Sequence, residues 1–394
     1  MGGLGGDDTL MGLIGVADNS GESIPQINRR ETVLGLCITF AILSWLCVTG
    51  RIYVRLALIR APGLDDLFVV LSLLIMSIGL ASICVSTEKG LGQHLLSLTE
   101  GQASAFLHSF YVFNGSYAMS TALIKISLLL QYMRLYQPGT PFYNTCRILV
   151  VFIGLWGTAY SILAWVPCVP VSDYWTVIYE QDMSGLKCYG YGSQYVSVFT
   201  ATYESHAAVN MMLDLVVMGL PIPLYFQRGA HGRTRLGLVG VIAMGTMVNV
   251  FSIWRFATTM QHRAATYPTF DPTWYGPITI VMAGLETATS CMCASIPIFW
   301  GPLVTSASQL LGQIFVTKEV HVTTERRFDT FGSNETFHQV EMQGPGIGYE
   351  EDTVYFGQRS GSRLEWVSKD GTQHYTETWP GYGVDGKMWD GGRV

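Results

Sequence analysis

Charged side chains occur within or directly beside several long apolar runs of this chain, and three of them, Lys125, Asp214 and Glu286, are the groups most able to do chemistry. Lys125, Asp214 and Glu286 each lie in a different run. Because a charge inside a membrane costs several kcal/mol unless it is paired or hydrated, each needs a partner. We therefore predict that Lys125 pairs with Glu286 or Asp214. If Lys125 does not keep them ionised, burial makes Glu286 and Asp214 candidate catalytic acids toward a lipophilic substrate.

Other polar residues recur at helical spacing around these charges. His206 and Asn210 precede Asp214 at intervals of four, and Asn114 and Thr121 share a helical face with Lys125. On the last run, Thr289, Ser290 and Cys293 follow Glu286 at positions i+3, i+4 and i+7. The three stripes are expected to face one another inside a bundle. They could be structural polar contacts between helices, or they could line a ligand cavity. The ligand-binding candidates are Asn114, Lys125, His206, Asn210, Asp214 and Glu286.

Seven apolar stretches between residues 32 and 304 must position these groups. Runs of roughly 18 or more residues are long enough to cross the hydrocarbon core as helices, whereas barrel strands are shorter and alternate. The sequence therefore predicts an all-α membrane protein, a seven-transmembrane helix bundle. The predicted spans are Thr32–Gly50, Leu67–Thr87, Gly101–Ile124, Ile148–Ser172, Val196–Phe226, Leu236–Trp254 and Tyr275–Val304.

The distribution of Lys and Arg in the loops predicts the orientation. Arginines cluster after the first span, around the third loop and between spans five and six, and fewer basic residues lie on the opposite side. By the positive-inside rule the N-terminus is outside and the C-terminus is cytosolic. Residues 1–31 are predicted to be a short disordered outer tail. Residues 305–394, rich in glycine and acidic residues, are predicted to be a disordered cytosolic tail in which Ser308–Val316 could form an amphipathic helix.

Composition excludes some classes of function. The formal net charge is -6, and no basic stripe suggests nucleic-acid binding. No Cys/His spacing predicts a metal site. Cys168 and Cys188 both lie in the predicted outer loop between spans four and five, where an oxidising compartment allows them to form a disulfide. The alternative is that Cys84, near the outer end of span two, pairs with one of them.

Asp65 and Asp66 lie at the predicted cytosolic start of the second span. Negative charge at a helix N-terminus complements the helix dipole, so capping is the simpler interpretation. The alternative is a salt bridge to Arg51 or Arg55 that acts as a conformational latch.

Several segments, in order from about Arg51 to Leu303, resemble the fungal rhodopsin-like integral membrane proteins, a family named after a satratoxin-cluster protein. They are RIYVR (Arg51–Arg55), GLDD (Gly63–Asp66), KGLGQH (Lys89–His94), KISLLLQYMRL (Lys125–Leu135), PCVP (Pro167–Pro170), DYW (Asp173–Trp175), NMMLD (Asn210–Asp214), LPIP (Leu220–Pro223), LETATSCMCASIP (Leu285–Pro297) and GPL (Gly301–Leu303).

Some members of this family are receptor-like, and others are encoded in secondary-metabolite gene clusters. The resemblance therefore implies either role for this chain. Retinal is not expected as a cofactor, because its Schiff base needs a lysine on the seventh span and Tyr275–Val304 contains none.

Three hypotheses for the function follow. The first is a plasma-membrane sensor that binds a small apolar ligand in the bundle and signals to a cytosolic partner. The second is a membrane-embedded enzyme, such as a cyclase, that uses Glu286 or Asp214 as an acid. The third is a metabolite carrier, for which the sequence offers no internal repeat. Of the three, the sensor is favoured, so we expect a protein that is not an enzyme. Its predicted partner in every case is the lipid bilayer.

Overall fold

The computed structural model describes residues 9–136, 138–176, 187–225 and 232–312, and five short strands between residues 321 and 377. Two compact units divide the chain, Met1–Ala307 and Ser308–Val394. The part of the chain described contains seven helices of at least 23 residues. They are α1 (Arg30–Tyr53), α2 (Leu64–Ser86), α3 (Glu100–Leu135), α4 (Pro141–Trp165), α5 (Val196–Gly219), α6 (Gly232–Gln261) and α7 (Pro272–Gly312).

Five of the long helices are apolar enough over their length to cross a bilayer. These stretches are Arg30–Ile59, Leu64–Ser86, Pro141–Trp165, Val239–Gln261 and Pro272–Ile298. The other two, α3 and α5, are as long but more polar, because they contain the stripes of Lys125 and Asp214.

The helices α3 and α7 form the interior of the bundle. In α7, 89% of the most apolar window is buried, compared with 17% in α4. Small residues allow the backbones to approach closely, as is common between membrane helices. A Cβ atom at Gly157 of α4 would collide with Ala122 of α3, and one at Gly79 of α2 would lie 2.9 Å from the Ser116 Cβ atom of α3.

The helices extend beyond the predicted apolar runs, because polar residues cap and lengthen them outside the hydrocarbon layer. At the start of α3, Thr99 accepts from the Gln102 backbone N–H in a capping box. The predicted fifth span, Val196–Phe226, is interrupted: α5 ends at Gly219, and a short helix, Ile222–Tyr225, follows within the LPIP segment.

Residues 9–28 are folded against the loops at one end of the bundle, which differs from the predicted disordered tail. The Leu10 N–H donates to the Gln194 carbonyl oxygen, and the Asn28 side chain donates to the Trp274 carbonyl oxygen. Leu10 packs with Leu95 and Phe199 in a small apolar cluster. The order of this segment depends on distant loops, so its own composition does not reveal it.

In the second unit, five antiparallel strands form a sheet in the order β1 to β5, within the segment predicted to be disordered. They are β1 (His321–Glu325), β2 (Phe337–Glu341), β3 (Val354–Gln358), β4 (Arg363–Val367) and β5 (Gln373–Glu377). Each strand is only five residues long and contains β-branched or aromatic residues. Of the predicted amphipathic helix, Ser308–Gly312 is the end of α7, and residues 313–316 lie outside the described residues.

Candidate functional site

The Lys125 side chain reaches from α3 to α5 and forms an ion pair with Asp214. The Lys125 Nζ to Asp214 Oδ1 distance is 2.9 Å, and both side chains are more than nine-tenths buried. Lys125 Nζ also donates to Asn210 Oδ1 at 2.8 Å and to Thr121 Oγ1 at 3.0 Å. Of the two partners that the sequence allows for Lys125, the structure therefore shows Asp214.

Glu286 on α7 pairs with a different cation, Arg255 on α6. The Arg255 Nε to Glu286 Oε2 distance is 3.0 Å. The other carboxylate oxygen, Oε1, accepts from Asn210 Nδ2 at 2.7 Å and from the Tyr117 hydroxyl at 3.1 Å. Arg255 also lies over the Tyr117 ring, with its Cζ atom 5.2 Å from the ring centre, in a cation–π contact.

Asn210 joins the two ion pairs. Its amide nitrogen donates to Glu286 and, at 3.1 Å, to Asp214 Oδ2, while its amide oxygen accepts from Lys125 and Thr121. The side chain is fully buried. An amide suits this position because it can donate to anions and accept from a cation at the same time. We call Tyr117, Thr121, Lys125, Asn210, Asp214, Arg255 and Glu286 the ion network.

The ion network contains two positive and two negative side chains, so its formal charge is zero. Ionised groups are tolerated in a low-dielectric interior only when they are paired and hydrogen-bonded. Removing one partner leaves a buried charge without compensation. The network therefore holds α3, α5, α6 and α7 together through contacts that depend on one another.

His206, one turn before Asn210 on α5, lies among aromatic rings beside the ion network. Its ring stacks on Trp156 at 5.0 Å between ring centres and lies 4.8 Å from Tyr160. The Tyr117 and Tyr191 rings meet it edge-on, at 5.7 and 6.2 Å. These contacts connect the ion network, through Tyr117, to the loop that contains Tyr191.

The other polar residues of the predicted stripes do not join the described contacts of the ion network. Asn114 is buried on α3, about two turns before Thr121. Ser290 bonds to the Glu286 backbone oxygen of its own helix, and the Cys293 thiol lies 3.7 Å from the Val241 carbonyl oxygen.

A second buried cluster lies where α1 ends and α2 begins. The Arg51 guanidinium contacts Asp65 Oδ2 at 2.5 Å and Asp66 Oδ1 at 2.8 Å, and Arg55 contacts Asp65 Oδ2 at 3.2 Å. Arg134 of α3 adds a contact to Asp65 Oδ1 at 3.0 Å. Asp66 also caps α2 by accepting from the Gly63 N–H, so the cap and the salt bridges are both present, while their role as a conformational latch stays a prediction.

Arg51 connects this cluster to two more helices. It donates to Gln131 Oε1 of α3 at 3.0 Å and to the Ala294 carbonyl oxygen of α7 at 2.5 Å. The Arg51 side chain is fully buried. We call Arg51, Arg55, Asp65, Asp66 and Arg134 the arginine cluster.

At the other end of the bundle, Asp271 just before α7 collects five contacts. It accepts from Asn19 Nδ2 at 3.0 Å and from the Leu95 N–H at 3.1 Å, and it lies 2.9 Å from His94 Nδ1. Thr273 Oγ and the Trp274 N–H complete the set. His94 therefore joins a folded surface instead of standing alone in a loop.

The disulfide predicted between Cys168 and Cys188 is present. Cys84 is free, so the alternative pairing does not occur. Within the described chain, no group of three or more His, Cys, Asp or Glu residues could hold a metal ion.

Two small cavities lie side by side near residues 192–203 and 258–279, and only the first is also lined by Leu10 and Met11. Each has a volume of about 50 Å³. Phe110, Phe199 and Pro272 line both, so the cavities share a wall. The first is also lined by Leu10 and Tyr191, and the second by Tyr203 and His262. A third cavity, of about 30 Å³, is lined by Asp214 and Cys293 among others.

Arg255, Asp271 and Arg134 take part in these clusters although the sequence pattern did not indicate them as site residues. Arg255 follows directly after the uncharged run Leu236–Trp254, and a run-length criterion ends the span at such a residue. The signal that could have revealed it is charge balance, because Lys125 alone cannot neutralise both Asp214 and Glu286.

Comparison with known proteins agrees with this architecture. The family model for the fungal rhodopsin domain matches residues 50–305. "Satratoxin biosynthesis SC1 cluster protein 4" of Stachybotrys chartarum is 28% identical over 140 residues, 36% of this chain and 48% of that protein. A "SAT4 family membrane protein" of Emericella nidulans is 22% identical over 225 residues, 57% of this chain and 52% of that protein.

The chain thus spans about half the length of the curated relatives that it matches. The family model covers more than half of the chain and includes every residue of the ion network. Together with helices that are apolar enough to span a bilayer, the match makes this a multi-pass membrane protein in contact with lipid. The chain belongs to the fungal rhodopsin-domain family.

Proposed function

We propose that this protein is a receptor-like sensor of small apolar molecules that works without retinal. In this proposal all seven long helices cross the plasma membrane, the N-terminus is outside and the C-terminus is cytosolic. The paired cavities then open toward the outer side, and the arginine cluster lies at the cytosolic side, where a signalling partner would bind.

The observation that carries the proposal is the continuous series of contacts between the cavities and the ion network. Tyr191 lines a cavity and meets His206, His206 meets Tyr117, and Tyr117 donates to Glu286. A molecule that displaced Tyr191 would therefore disturb the groups that hold four helices together. A sensor requires this kind of connection between a binding site and a bistable interior.

The geometry favours sensing over acid catalysis by Asp214 or Glu286. Every carboxylate oxygen of the two residues accepts from a cation or an amide, and Glu286 also accepts from a phenol. A general acid must instead carry a proton and offer it to the substrate. The enzyme hypothesis would require these contacts to break before the reaction could begin.

The same contacts disfavour retinal. Residues 275–304 contain no lysine, and the amine of Lys125 on α3 is committed to Asp214, Asn210 and Thr121. A Schiff base at Lys125 would require the loss of this ion pair.

A deletion strain of the source organism tests the proposal against the enzyme hypothesis. We would compare metabolite pools and transcripts in the deletion strain and in strains complemented with the wild-type gene or with Glu286→Gln. Glu286→Gln keeps the size of the side chain and removes its charge. Arg30→Gln, at an exposed ion pair with Glu88, is the matched control.

For a sensor, we expect deletion to change transcript levels without the build-up of one precursor. Accumulation of a single lipophilic precursor that the wild-type gene clears, with no transcriptional change, would instead establish an enzyme and refute sensing.

A further inference from the structure

Two free cysteines on neighbouring helices lie against each other near one end of the bundle. Cys37 belongs to α1 and Cys84 to α2, and neither forms a disulfide. The Cys37 thiol interacts with the Cys84 thiol, and Cys84 packs against the apolar cluster that contains Cys37. Neither residue belongs to the ion network or to the arginine cluster, so this pair of nucleophiles has no role in the function proposed above.

The register of α1 and α2 independently places the two cysteines opposite each other. The helices are antiparallel, and Trp45 Nε1 of α1 donates to Ser77 Oγ of α2 at 3.0 Å. Cys37 lies eight residues before Trp45, and Cys84 lies seven residues after Ser77. Both intervals are close to two helical turns, which return a side chain to the same face of its helix. The thiols therefore face each other about 11 Å along the helices from the Trp45–Ser77 contact.

The polar contacts between α1 and α2 differ in strength from one end to the other. At one end the buried Arg51 side chain contacts Asp66 Oδ1 at 2.8 Å. At the end that contains the thiols, Arg30 contacts Glu88 at 2.6 Å, but both side chains are more than half exposed. An exposed ion pair contributes little stability. A covalent bond between Cys37 and Cys84 would therefore strengthen the attachment of α1 where its polar contact is weakest.

The thiols lie at the end of the bundle where a disulfide already exists. The helices α2 and α4 end at Ser86 and Trp165, and α3 runs back between them, so both end on the same side. Cys168 follows Trp165 by three residues and is bonded to Cys188. The compartment on this side therefore permits disulfides, whichever compartment it is.

The two thiols differ in exposure, which sets the order of an oxidation. Cys84 is partly exposed in the last turn of α2, whereas Cys37 is only 3% exposed, so an oxidant reaches Cys84 first. A peroxide transfers one oxygen to the Cys84 sulfur, which becomes a sulfenic acid, and its other oxygen leaves as water. The Cys37 sulfur then attacks the Cys84 sulfur, the S–O bond breaks, and a second water leaves with the Cys37 proton. Two thiols are thereby oxidised to one disulfide, and the peroxide is reduced to two waters.

We propose that Cys37 and Cys84 are a reversible redox site, at which a peroxide forms a disulfide that fixes α1 against α2 and a thiol reductant releases it. This inference does not depend on the proposed sensing function. A disulfide requires Cβ atoms about 4 Å apart. The last turn of α2 supplies the small adjustment that this requires, because helix ends are less constrained than helix centres.

Peptide mapping without reduction tests the proposal directly. We would treat the full chain in lipid nanodiscs with hydrogen peroxide, alkylate the remaining thiols, and search by mass spectrometry for peptides joined through Cys37 and Cys84. The variants are Cys37→Ala and Cys84→Ala, which keep a small apolar side chain. The matched control is Cys47→Ala, at a partly exposed cysteine of α1.

We expect peroxide to produce the Cys37–Cys84 cross-link in the wild type and in Cys47→Ala, and dithiothreitol to remove it. Cys37→Ala and Cys84→Ala should lack it. Peroxide should also raise the unfolding temperature of the wild type by several degrees, because the bond closes a long loop of the unfolded chain, and should not raise that of Cys84→Ala. The bond between Cys168 and Cys188 is present with and without peroxide, so its contribution cancels.

Phenylarsine oxide examines the same pair without a substitution. Its arsenic bonds to two neighbouring thiols, and its oxygen leaves as water with both thiol protons. We expect it to protect Cys37 and Cys84 together from alkylation after the chain is unfolded.

Several results would overturn the proposal. They are the absence of a reaction with peroxide, oxidation of Cys84 to a sulfinic or sulfonic acid without a cross-link, and a disulfide from Cys84 to another cysteine. Failure of phenylarsine oxide to protect both thiols would also overturn it, and a cross-link without a rise in unfolding temperature would show that the bond does not fix α1.

Discussion

Lys125 and Asp214 show how a membrane interior accommodates charge, one residue at a time. Both are buried, and each has its opposite charge within 3 Å. Lys125 also donates a hydrogen bond to the Asn210 amide oxygen, and Asp214 accepts one from the Asn210 amide nitrogen. In such a pair the attraction offsets the desolvation penalty, and the net gain in stability is small. Removal of one partner is costly, because the other charge then stays buried alone.

We therefore expect Lys125→Met to destabilise the protein by about 3–5 kcal/mol, and the double variant Lys125→Met with Asp214→Leu to cost clearly less. Thermal unfolding in nanodiscs measures both. The exposed Arg30–Glu88 pair is the control, and Arg30→Gln should cost at most about 1 kcal/mol. Additive losses in the double variant would contradict the direct pairing of Lys125 and Asp214.

At the residue scale the sequence predicts which residues belong to the ion network better than it predicts which of them form ion pairs with each other. The spacing of His206, Asn210 and Asp214 correctly indicates one buried helix face, and burial alone demands a partner for Lys125. The choice between Asp214 and Glu286 depends on how α5 and α7 are rotated, which periodicity does not give. Arg255 was missed because the run-length criterion treats the first charge after a span as its end.

At the scale of helices, α4 is mostly exposed and packs against the rest of the bundle through one face only. Its contact with α3 depends on Gly157, where a Cβ atom would meet Ala122, whereas nothing lies within 4 Å of a Cβ atom placed on Gly154. The two glycines are on the same helix and differ only in the face that they occupy.

Gly157→Val should therefore cost about 1–3 kcal/mol, because the added atoms force α3 and α4 apart. Gly154→Val should change stability little and serves as the matched control. The amount of folded protein extracted from membranes and its unfolding temperature measure the effect. Equal losses for the two variants would show that helix propensity, not the contact with Ala122, determines the result.

The disulfide between Cys168 and Cys188 stabilises the segment between α4 and α5. Its partners are 20 residues apart, for which chain entropy predicts a stabilisation of about 3 kcal/mol. We expect the double variant Cys168→Ser/Cys188→Ser to lower the unfolding temperature, and a reductant to lower that of the wild type but not of the variant. A reductant-insensitive wild type would mean that the bond contributes little.

At the scale of the whole molecule, apolar runs predict the approximate position of the long helices, because hydrocarbon thickness imposes their length. Five of the helices that the structure describes are apolar enough to cross a bilayer, and the count of seven spans stays a prediction. They do not predict residues 9–28, whose order comes from Asn19 and Leu10 contacting Asp271 and Gln194 far along the chain. The strands after residue 320 are also absent from the prediction, since short strands in a polar, glycine-rich segment leave only a weak pattern.

The proposed orientation makes a prediction for intact cells. An epitope placed before residue 9 should be labelled from outside, and one placed after Val394 should be labelled only after permeabilisation. Arg29 and Arg30 lie at the proposed outer end of α1, where the positive-inside rule disfavours basic residues, so the orientation of α1 is the part most open to refutation. Labelling of the C-terminal epitope on intact cells would contradict the proposed topology. It would mean that the orientation is reversed or that the chain crosses the membrane one time fewer.

The central claim is that the ion network is closed and neutral, with Asp214 and Glu286 ionised and engaged by Lys125 and Arg255. Infrared spectroscopy of the protein in nanodiscs at neutral pH measures this directly, because a protonated carboxyl group has a C=O stretch that a carboxylate lacks. We predict that neither Asp214 nor Glu286 contributes a protonated-carboxyl band to the wild-type spectrum. The spectra of Asp214→Asn and Glu286→Gln should therefore lack no such band that the wild type shows. A band that vanishes in either variant would identify a buried proton donor, contradict the closed network and restore the acid-catalysed enzyme.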